Sequence, residues 1–345
     1  MNNLLQIFEQ NKSNKSFDVN DRVLIIDSTN TFIRVISSIA VLNDNGTNVG
    51  GITGFLRSIG SNIRDFKASR CIIVFDGKGG SLRRRKLYPE YKANRTGKFK
   101  PKQVEGFELN EDGIAESMKW QMQRTVMYLE NLPVQIVCLD NIEADDTIAY
   151  ICKQYFEDHS NKIRIVSTDR DFLQLVNEKI EVYSPVKKVT YTKNKIREEL
   201  QIHPDNYLLY RTLTGDNSDN IPGITGLGLK TLIKHFPEVL HEKIEYEQLF
   251  TICSDKVAEK KSKQIYQTIL DNKEQIDINY KLMQLHETDI SAHSKISITD
   301  IVDVDIKKLN KINFKKLISE DYISISKDLD NWLYSTFISL NVWAK

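Results

Sequence analysis

The sequence has no long apolar run. Its 345 residues contain no stretch close to the roughly 20 uninterrupted apolar residues that a bilayer crossing needs. Residues 1–16 are mostly polar and lack the apolar segment of a secretion signal. We therefore expect neither a membrane protein nor a secreted one, but a chain that acts in the cytoplasm, or in the host cytoplasm if it is viral. The length suits one large domain or two ordinary ones.

Cysteine is scarce and unpaired in the sequence. The four cysteines are widely spaced and form no CxxC pair: Cys71, Cys138, Cys152 and Cys253. Three of them lie within or beside apolar runs. The spacing therefore favours reduced core residues over a disulfide framework or a zinc site.

Net charge is also small. The chain has 48 basic and 47 acidic residues, a formal charge of +1, which argues against indiscriminate nucleic-acid binding. The charges are nevertheless segregated, because residues 83–102 contain nine basic residues and a single acidic one, Glu90. Tyr88, Tyr91 and Phe99 alternate with these basic residues, a composition suited to phosphate contacts and base stacking. Taken alone, the run is also compatible with a solvated basic loop.

Short apolar runs alternate with helical periodicity, which predicts an α/β fold with a mostly parallel central sheet. The predicted strands are Arg22–Ile26, Cys71–Phe75, Val134–Leu139, Ile163–Ser167 and Ile180–Tyr183. The predicted helices between them are Ile52–Phe66, Ile114–Asn131, Ala144–Phe156 and Phe172–Val176. From about residue 193 onward the pattern is mainly helical, so we expect a boundary near residue 190.

Acidic residues follow the strands. Asp27, Asp76, Asp140 and Asp169 each come at or soon after the end of one. In open α/β sheets the ligand crevice lies beyond the carboxyl ends of the strands, so these acids are expected to meet there. A single aspartate after a strand is more often a turn or helix cap, and only the whole set indicates function.

Nine carboxylates form this set, and they are predicted to converge. They are Asp27, Asp76, Glu143, Asp145, Asp146, Asp169, Asp171, Asp216 and Asp219. So many negative charges repel unless divalent cations neutralise them, and hard cations such as Mg²⁺ or Mn²⁺ prefer oxygen ligands. Two such ions about 4 Å apart activate water and stabilise the leaving oxygen of a phosphodiester. In the segment IEADDTIA, Glu143 and Asp146 share a helix face, whereas Asp145 points elsewhere and is a candidate for a second ion.

The motifs VLIIDSTN, IVFDG, IEADDTIA, IVSTDRDFLQLV and LTGDNSDNIPGITGLGLKT resemble those of the 5′ nuclease family. This family includes flap endonucleases, the 5′-to-3′ exonuclease domain of bacterial DNA polymerase I and the phage enzymes often called ribonuclease H. The resemblance covers about residues 22–285. It implies a PIN-like core, a helical arch or clamp, and a helix-three-turn-helix that grips duplex DNA. It further implies two sets of metal ligands. The first set is Asp27, Asp76, Glu143, Asp145 and Asp146, and the second is Asp169, Asp171, Asp216 and Asp219.

The resemblance also assigns roles within the basic segment. The arch corresponds to residues 78–110, and YKANR matches the position of the family's catalytic basic residues, which makes Lys92 and Arg95 candidates. Arg34 matches a phosphate contact, with an ordinary surface arginine as the alternative. Arg84 is a weaker phosphate-contact candidate. Tyr91 is a candidate for stacking on a base, and an ordinary packing tyrosine is nearly as good an interpretation.

A glycine-rich turn precedes the helix after GDNSDNIP. Gly223, Gly226 and Gly228, followed by Lys230, allow backbone N–H groups to approach a phosphate. The resemblance implies that this turn binds the duplex backbone together with K⁺. Such a grip recognises backbone shape, so selectivity for structure and 5′ ends is expected rather than for base sequence.

Four regions result from these predictions. They are an N-terminal extension (1–21), the catalytic core (22–190), the helix-three-turn-helix region (191–290) and a C-terminal tail (291–345). The expected activity is that of a monomeric, metal-dependent 5′ nuclease on DNA flaps, nicks, 5′ ends and RNA/DNA hybrids, removing RNA primers and flaps during replication. The tail is a candidate for docking a sliding clamp or a single-strand-binding protein, although packing of a last helix is the stronger interpretation. The competing hypothesis is a non-catalytic, structure-specific DNA-binding protein with the same fold. An aspartyl-phosphate phosphatase is disfavoured, because Asp27 lacks a second aspartate two residues later.

Overall fold

The computed structural model describes residues 18–95, 100–259, 264–287 and 290–345. Most of the N-terminal extension and residues 96–99 of the predicted arch therefore lie outside the described residues. In the described part, a six-stranded sheet has the order β3-β2-β1-β4-β5-β6. The strands are Arg22–Asp27 (β1), Arg70–Asp76 (β2), Gln135–Leu139 (β3), Lys162–Val166 (β4), Ile180–Ser184 (β5) and Val189–Tyr191 (β6). The first five are parallel, as predicted.

The last strand was not predicted from the sequence. β6 pairs antiparallel with β5 through Val182 and Tyr191. With only three residues, VTY, it is too short to show a strand periodicity. β6 is the outermost strand on the β5 side of the sheet. After it, the described chain continues as helices and loops.

The α-helices are numbered in chain order. They are Ser28–Ser38 (α1), Gly50–Phe66 (α2), Leu82–Leu87 (α3), Glu111–Leu129 (α4), Ala144–Tyr150 (α5), Lys193–Leu200 (α6), Tyr207–Thr214 (α7), Leu229–His235 (α8), Tyr246–Ala258 (α9), Gln264–Asp271 (α10), Lys273–Met283 (α11), Ala292–Asp303 (α12), Lys311–Glu320 (α13) and Leu329–Asn341 (α14). Two predicted helices differ in type. The predicted helix 144–156 changes to π-helical geometry over Ile151–Phe156, and the predicted helix 172–176 is a 3₁₀ turn over Asp171–Leu175.

Helices cover both faces of the sheet. Alternate residues of β1 enter different cores, Val23 and Ile25 on one side and Leu24 and Ile26 on the other, and all four are 0–1% exposed. One core continues into α5 and the helices after β6, while the other contains α1, α2, α4 and the C-terminal helices. Burial on both faces explains why the strands are rich in Val and Ile.

The C-terminal helices belong to this packing. Phe337 and Leu340 of α14 are 1% and 0% exposed, in the core that contains α2. Among the described helices, none has both the length and the apolar character needed to cross a bilayer. All four cysteines are free, but Cys138 is exposed and so is not the core residue expected from the sequence, because its position on the edge strand β3 faces outward.

The strand order places a crevice between β1 and β4. The chain leaves β1 toward β2 and β3 on one side, whereas β4 continues to β5 on the other side. Between two strands whose connections leave in opposite directions, the loops at the carboxyl ends separate and create room for a ligand. Asp27 ends β1, and residues 167–171 follow β4, so this crevice receives two of the predicted acidic groups.

Candidate functional site

Asp27 is fixed at the carboxyl end of β1. Its side chain is 5% exposed and caps α1 by accepting a hydrogen bond from the Asn30 backbone N–H at 3.2 Å. The Ser167 hydroxyl, from the loop after β4, donates to Asp27 Oδ2 at 2.7 Å. Asn30 Oδ1 in turn accepts from the backbone and hydroxyl of Thr168 at 3.1 and 2.8 Å. The two central strand ends are thus joined by polar side chains.

The next acidic group surrounds the start of α5. Asp76, at the end of β2, accepts a hydrogen bond at 2.8 Å from the backbone N–H of Ala144, the first residue of α5. Glu143 and Asp146 are buried on one side of this helix start, at 4% and 3% exposure. Asp145 is close to both acidic groups, since the charges that act on it are those of Asp169, Lys92, Asp27 and Glu143. The assignment of Asp145 to a second ion stays a prediction.

Arg84 holds Glu143 and Asp146 together. Its Nη1 pairs with Glu143 and lies 2.8 Å from Asp146 Oδ2, and its Nε donates to the Leu282 carbonyl at 2.9 Å. The arginine is 4% exposed. Burial alone would lower its pKa, but Asp146 and Glu143 outweigh burial and raise it. In this structure Arg84 is consequently a buried ion-pair residue, without the exposed guanidinium that the predicted phosphate contact requires.

Arg84→Ala is expected to lower the free energy of unfolding by about 1.5–3 kcal/mol, the range for hydrogen bonds to charged groups, because two buried carboxylates lose their shared partner and keep only Lys92 and Arg83. Urea denaturation without divalent cations measures the change. Arg85→Ala is the matched control, since Arg85 is the exposed neighbour and its removal is expected to change stability by less than about 0.5 kcal/mol. Equal effects of the two variants would contradict the buried role of Arg84.

Lys92 also faces this acidic group. Its Nζ lies 2.6 Å from Glu143 Oε1 and 4.0 Å from Asp219 Oδ2. Burial opposes its charge, but Glu143, Asp145 and Asp219 outweigh burial and raise the pKa of the ammonium. Tyr91 is only 3% exposed and donates its hydroxyl to Glu143 Oε2 at 3.2 Å. Its ring is packed rather than open for stacking on a base. This agrees with the interpretation of Tyr91 as an ordinary packing tyrosine.

Three further acids, Asp171, Asp216 and Asp219, pair with two arginines. Arg211 lies 3.0 Å from Asp171 Oδ1 and also pairs with Asp216. Arg95 pairs with Asp219 and is half exposed, at 53% for its side chain. Arg211 was not among the residues predicted from the sequence. Its position on α7, five residues before Asp216, could have indicated an ion pair with that acid.

Four of the nine carboxylates have no such partner. Among the described residues, Asp27, Asp76, Asp145 and Asp169 form no ion pair with a basic side chain, and Asp76 differs from the other three in being exposed. Burial raises the pKa of Asp27 from 3.8 to about 7, against the hydrogen bond from Ser167, and the charges of Asp169 and Asp76 add to the rise. Burial likewise raises the pKa of Asp145 and Asp169. In the metal-free protein the negative charge of these three groups is therefore disfavoured, and a bound cation would favour it.

The donor chemistry suits a hard divalent cation, since all three central groups are carboxylates. However, no three acidic, histidine or cysteine side chains in the described parts of the chain lie close enough to hold one ion together. Lys92 and the arginines occupy part of the space among the acids. Binding a cation would thus require side-chain movement, with charge neutralisation as the driving force.

Arg34 lies near the same crevice. It lines a cavity of about 210 Å³ together with Ser167, Asp169 and Tyr191. Its Nη2 donates to the Ser58 hydroxyl at 3.2 Å, while its buried Nε has no hydrogen-bond partner among the described residues. A larger cavity of about 530 Å³ lies elsewhere and is lined by none of the nine carboxylates.

The glycine-rich turn joins α7 to α8. Gly226 and Gly228 are exposed, and a Cβ built on either would meet nothing within 4 Å; Lys230 is exposed beside them. Gly223 differs, because a Cβ there would lie 2.1 Å from the Thr214 carbonyl oxygen. Close packing of the chain on itself explains this glycine.

Comparison with known proteins identifies the family of this chain. A family model for the N-terminal, resolvase-like domain of 5′-3′ exonucleases matches residues 22–201, just over half of the chain. A 5′-3′ exonuclease of Buchnera aphidicola (from Acyrthosiphon pisum) is 30% identical over 314 residues, covering 90% of this chain and 97% of the relative. A 5′-3′ exonuclease of Aquifex aeolicus is 29% identical over 301 residues, covering 86% and 93%. The chain belongs to the 5′-3′ exonuclease family.

Solved structures agree on the fold. The flap endonuclease of bacteriophage T5, in a complex with DNA and metal ions, superposes with a TM-score of 0.62 at 20% identity. The alignment covers 87% of this chain and 99% of that one. The T5 5′-exonuclease with bound zinc gives a TM-score of 0.61 at 19% identity, covering 87% and 98%. The PIN-like α/β fold expected from the motifs is confirmed.

Proposed function

We propose that the chain hydrolyses phosphodiester bonds at 5′ ends and flap junctions of DNA by a mechanism that uses two divalent cations, Mg²⁺ or Mn²⁺. The observation that carries the proposal is the group of Asp27, Asp145 and Asp169, which act on one another electrostatically and form no ion pair with a basic side chain. Asp27 is buried, and Asp145 and Asp169 are half-buried. The T5 structure, which contains DNA and metal ions, supports the same assignment.

Different residues of the chain would have different roles in this reaction. The nine carboxylates would hold the cations, with the central three engaging first because they need no ion pair to break. Bound cations would activate water and neutralise charge on the scissile phosphate. Lys92, released from Glu143, would donate to a phosphate oxygen, and Arg95, released from Asp219, would hold the same strand. The exposed turn at Gly226 and Gly228 would hold the duplex backbone, with K⁺ as its candidate ion.

The proposed substrates are 5′-flap, nicked and 5′-ended DNA and RNA/DNA hybrids, as in the removal of RNA primers. Cleavage of a 5′-flap duplex, labelled separately at each end of the flapped strand, tests this in Mg²⁺ and in EDTA. We expect cleavage only with the metal. An intact released flap indicates endonuclease action, whereas a ladder of mono- and short oligonucleotides indicates exonuclease action. Binding without cleavage in both Mg²⁺ and Mn²⁺ would instead support the non-catalytic DNA-binding hypothesis.

A further inference from the structure

The segment that carries Lys92 is fastened to the loop that carries Asp219. We call this set of contacts between residues 90–95 and 217–220 the interlock. The Lys92 backbone N–H donates to the Asp219 carbonyl at 2.8 Å, and Asn220 Nδ2 donates to the Glu90 carbonyl at 2.8 Å. These two bonds run in opposite directions between the same two segments, so they fix both the distance and the orientation of one segment relative to the other.

Two further hydrogen bonds extend the interlock. Asn94 Nδ2 donates to the Asn217 carbonyl at 2.7 Å, and Arg95 Nε donates to the Ser218 carbonyl at 3.3 Å. Each of the four bonds ends on a backbone carbonyl of the facing segment. Two side chains of residues 217–220 reach across, those of Asp219 and Asn220. Asp219 is one of the nine carboxylates, so Asn220 is the informative position for substitution.

Backbone conformation shows that the interlock holds an unusual geometry. Lys92 has φ +57° and Asn220 has φ +59°. Asparagine tolerates this left-handed region, whereas lysine rarely adopts it, and residues in such conformations persist where the surroundings over-determine them. The interlock supplies this constraint, and the outcome is the Nζ position of Lys92, 2.6 Å from Glu143.

We infer that Asn220 is a positioning residue for the nuclease reaction, which acts by holding the backbone of residues 90–92 so that the Lys92 ammonium faces the carboxylates. The inference rests on the proposed function, because it assigns Lys92 to the scissile phosphate. Apolar packing also holds the two segments together. Ile221 follows Asn220, Tyr91 precedes Lys92, and both are buried in one cluster.

Asn220→Gly tests the inference. Glycine keeps the left-handed backbone without strain and removes the side chain together with its amide group. We expect the single-turnover rate on a 5′-flap duplex to fall by roughly ten- to a hundredfold, the scale of a misplaced catalytic group, with duplex affinity unchanged. We also expect faster amide hydrogen exchange over residues 90–95. Asn217→Ala is the matched control, because Asn217 joins the interlock through its backbone carbonyl.

A double variant separates positioning from general damage. In a Lys92→Ala background, Asn220→Gly is expected to cause no further loss of rate, since it acts through Lys92. An equal loss in both backgrounds, or a wild-type rate for Asn220→Gly alone, would overturn the inference. Asn94→Ala provides a second variant in case Asn220→Gly does not fold. If the unmodified protein fails to cleave in Mg²⁺ and Mn²⁺, the proposed function and this inference fail together, whereas cleavage by the unmodified protein with unaffected variants removes the inference alone.

Discussion

Asp27→Asn is expected to lower single-turnover cleavage of a 5′-flap duplex by at least about 100-fold, because even the outer partners of metal ligands contribute about 10- to 100-fold. The substitution keeps the shape of the side chain, and its remaining oxygen can still accept from Ser167. It removes the negative charge at the end of β1, where a cation would bind. Duplex binding measured in EDTA is expected to remain close to that of the unmodified protein.

Asp140→Asn is the matched control for this variant. Asp140 follows β3 at the same edge of the sheet, but it accepts a hydrogen bond from the Lys78 backbone at 2.9 Å and lies outside the nine carboxylates. Its cleavage rate is expected to stay near that of the unmodified protein. A similar loss in both variants would show that the effect does not come from the central cluster.

Although Asp27→Asn should lower the cleavage rate, it should raise the stability of the metal-free protein at high pH. In the folded, metal-free protein, burial raises the pKa of Asp27 to about 7, above its ordinary 3.8. An acid with a raised pKa contributes fully to stability below about pH 4, and that contribution is lost as the pH rises toward 7. At pH 8 the charged Asp27 therefore destabilises the fold, and Asp27→Asn should raise the unfolding temperature measured in EDTA. At pH 3 the two proteins should unfold at similar temperatures.

The sequence was most informative where one regular element decides the geometry. Five parallel strands and the acids at their ends followed from apolar runs of ordinary length. Helical spacing alone also placed Glu143 and Asp146 on one side of the start of α5, where Arg84 pairs with both. Such predictions need only local periodicity and the rule that parallel strands present their carboxyl ends at one edge.

Contacts between distant segments were not predictable in the same way. Arg84 is one of three consecutive arginines, Arg83 to Arg85, and the sequence does not show which of them turns inward. The structure decides this because α3 is anchored by the Leu282 carbonyl, about two hundred positions later in the chain. The pairing of Arg211 with Asp171 likewise depends on how α7 packs against the 3₁₀ turn after β4. The ion pairs between these arginines and the acidic residues thus depend on tertiary packing, which local sequence patterns do not specify.

The second large effect is expected at Lys92. Lys92→Ala should slow single-turnover cleavage by about 100- to 1,000-fold, the usual consequence of removing one group that stabilises developing charge. In the metal-free protein the ammonium binds Glu143, and Arg84 remains as the partner of that carboxylate when Lys92 is removed. Folding and duplex binding are therefore expected to survive, so that the loss appears in the rate of the chemical step.

Lys86→Ala distinguishes this role from a general loss of positive charge. Lys86 belongs to the same basic segment, but its position on α3 is exposed. Its removal should weaken duplex binding slightly and reduce the salt dependence of that binding, without slowing cleavage at saturating enzyme. Lys92→Ala should show the reverse pattern, with slow cleavage that saturating enzyme does not restore. If saturating enzyme did restore the rate of Lys92→Ala, Lys92 would be a binding residue, and the charge that develops on the phosphate would have to be stabilised by other groups.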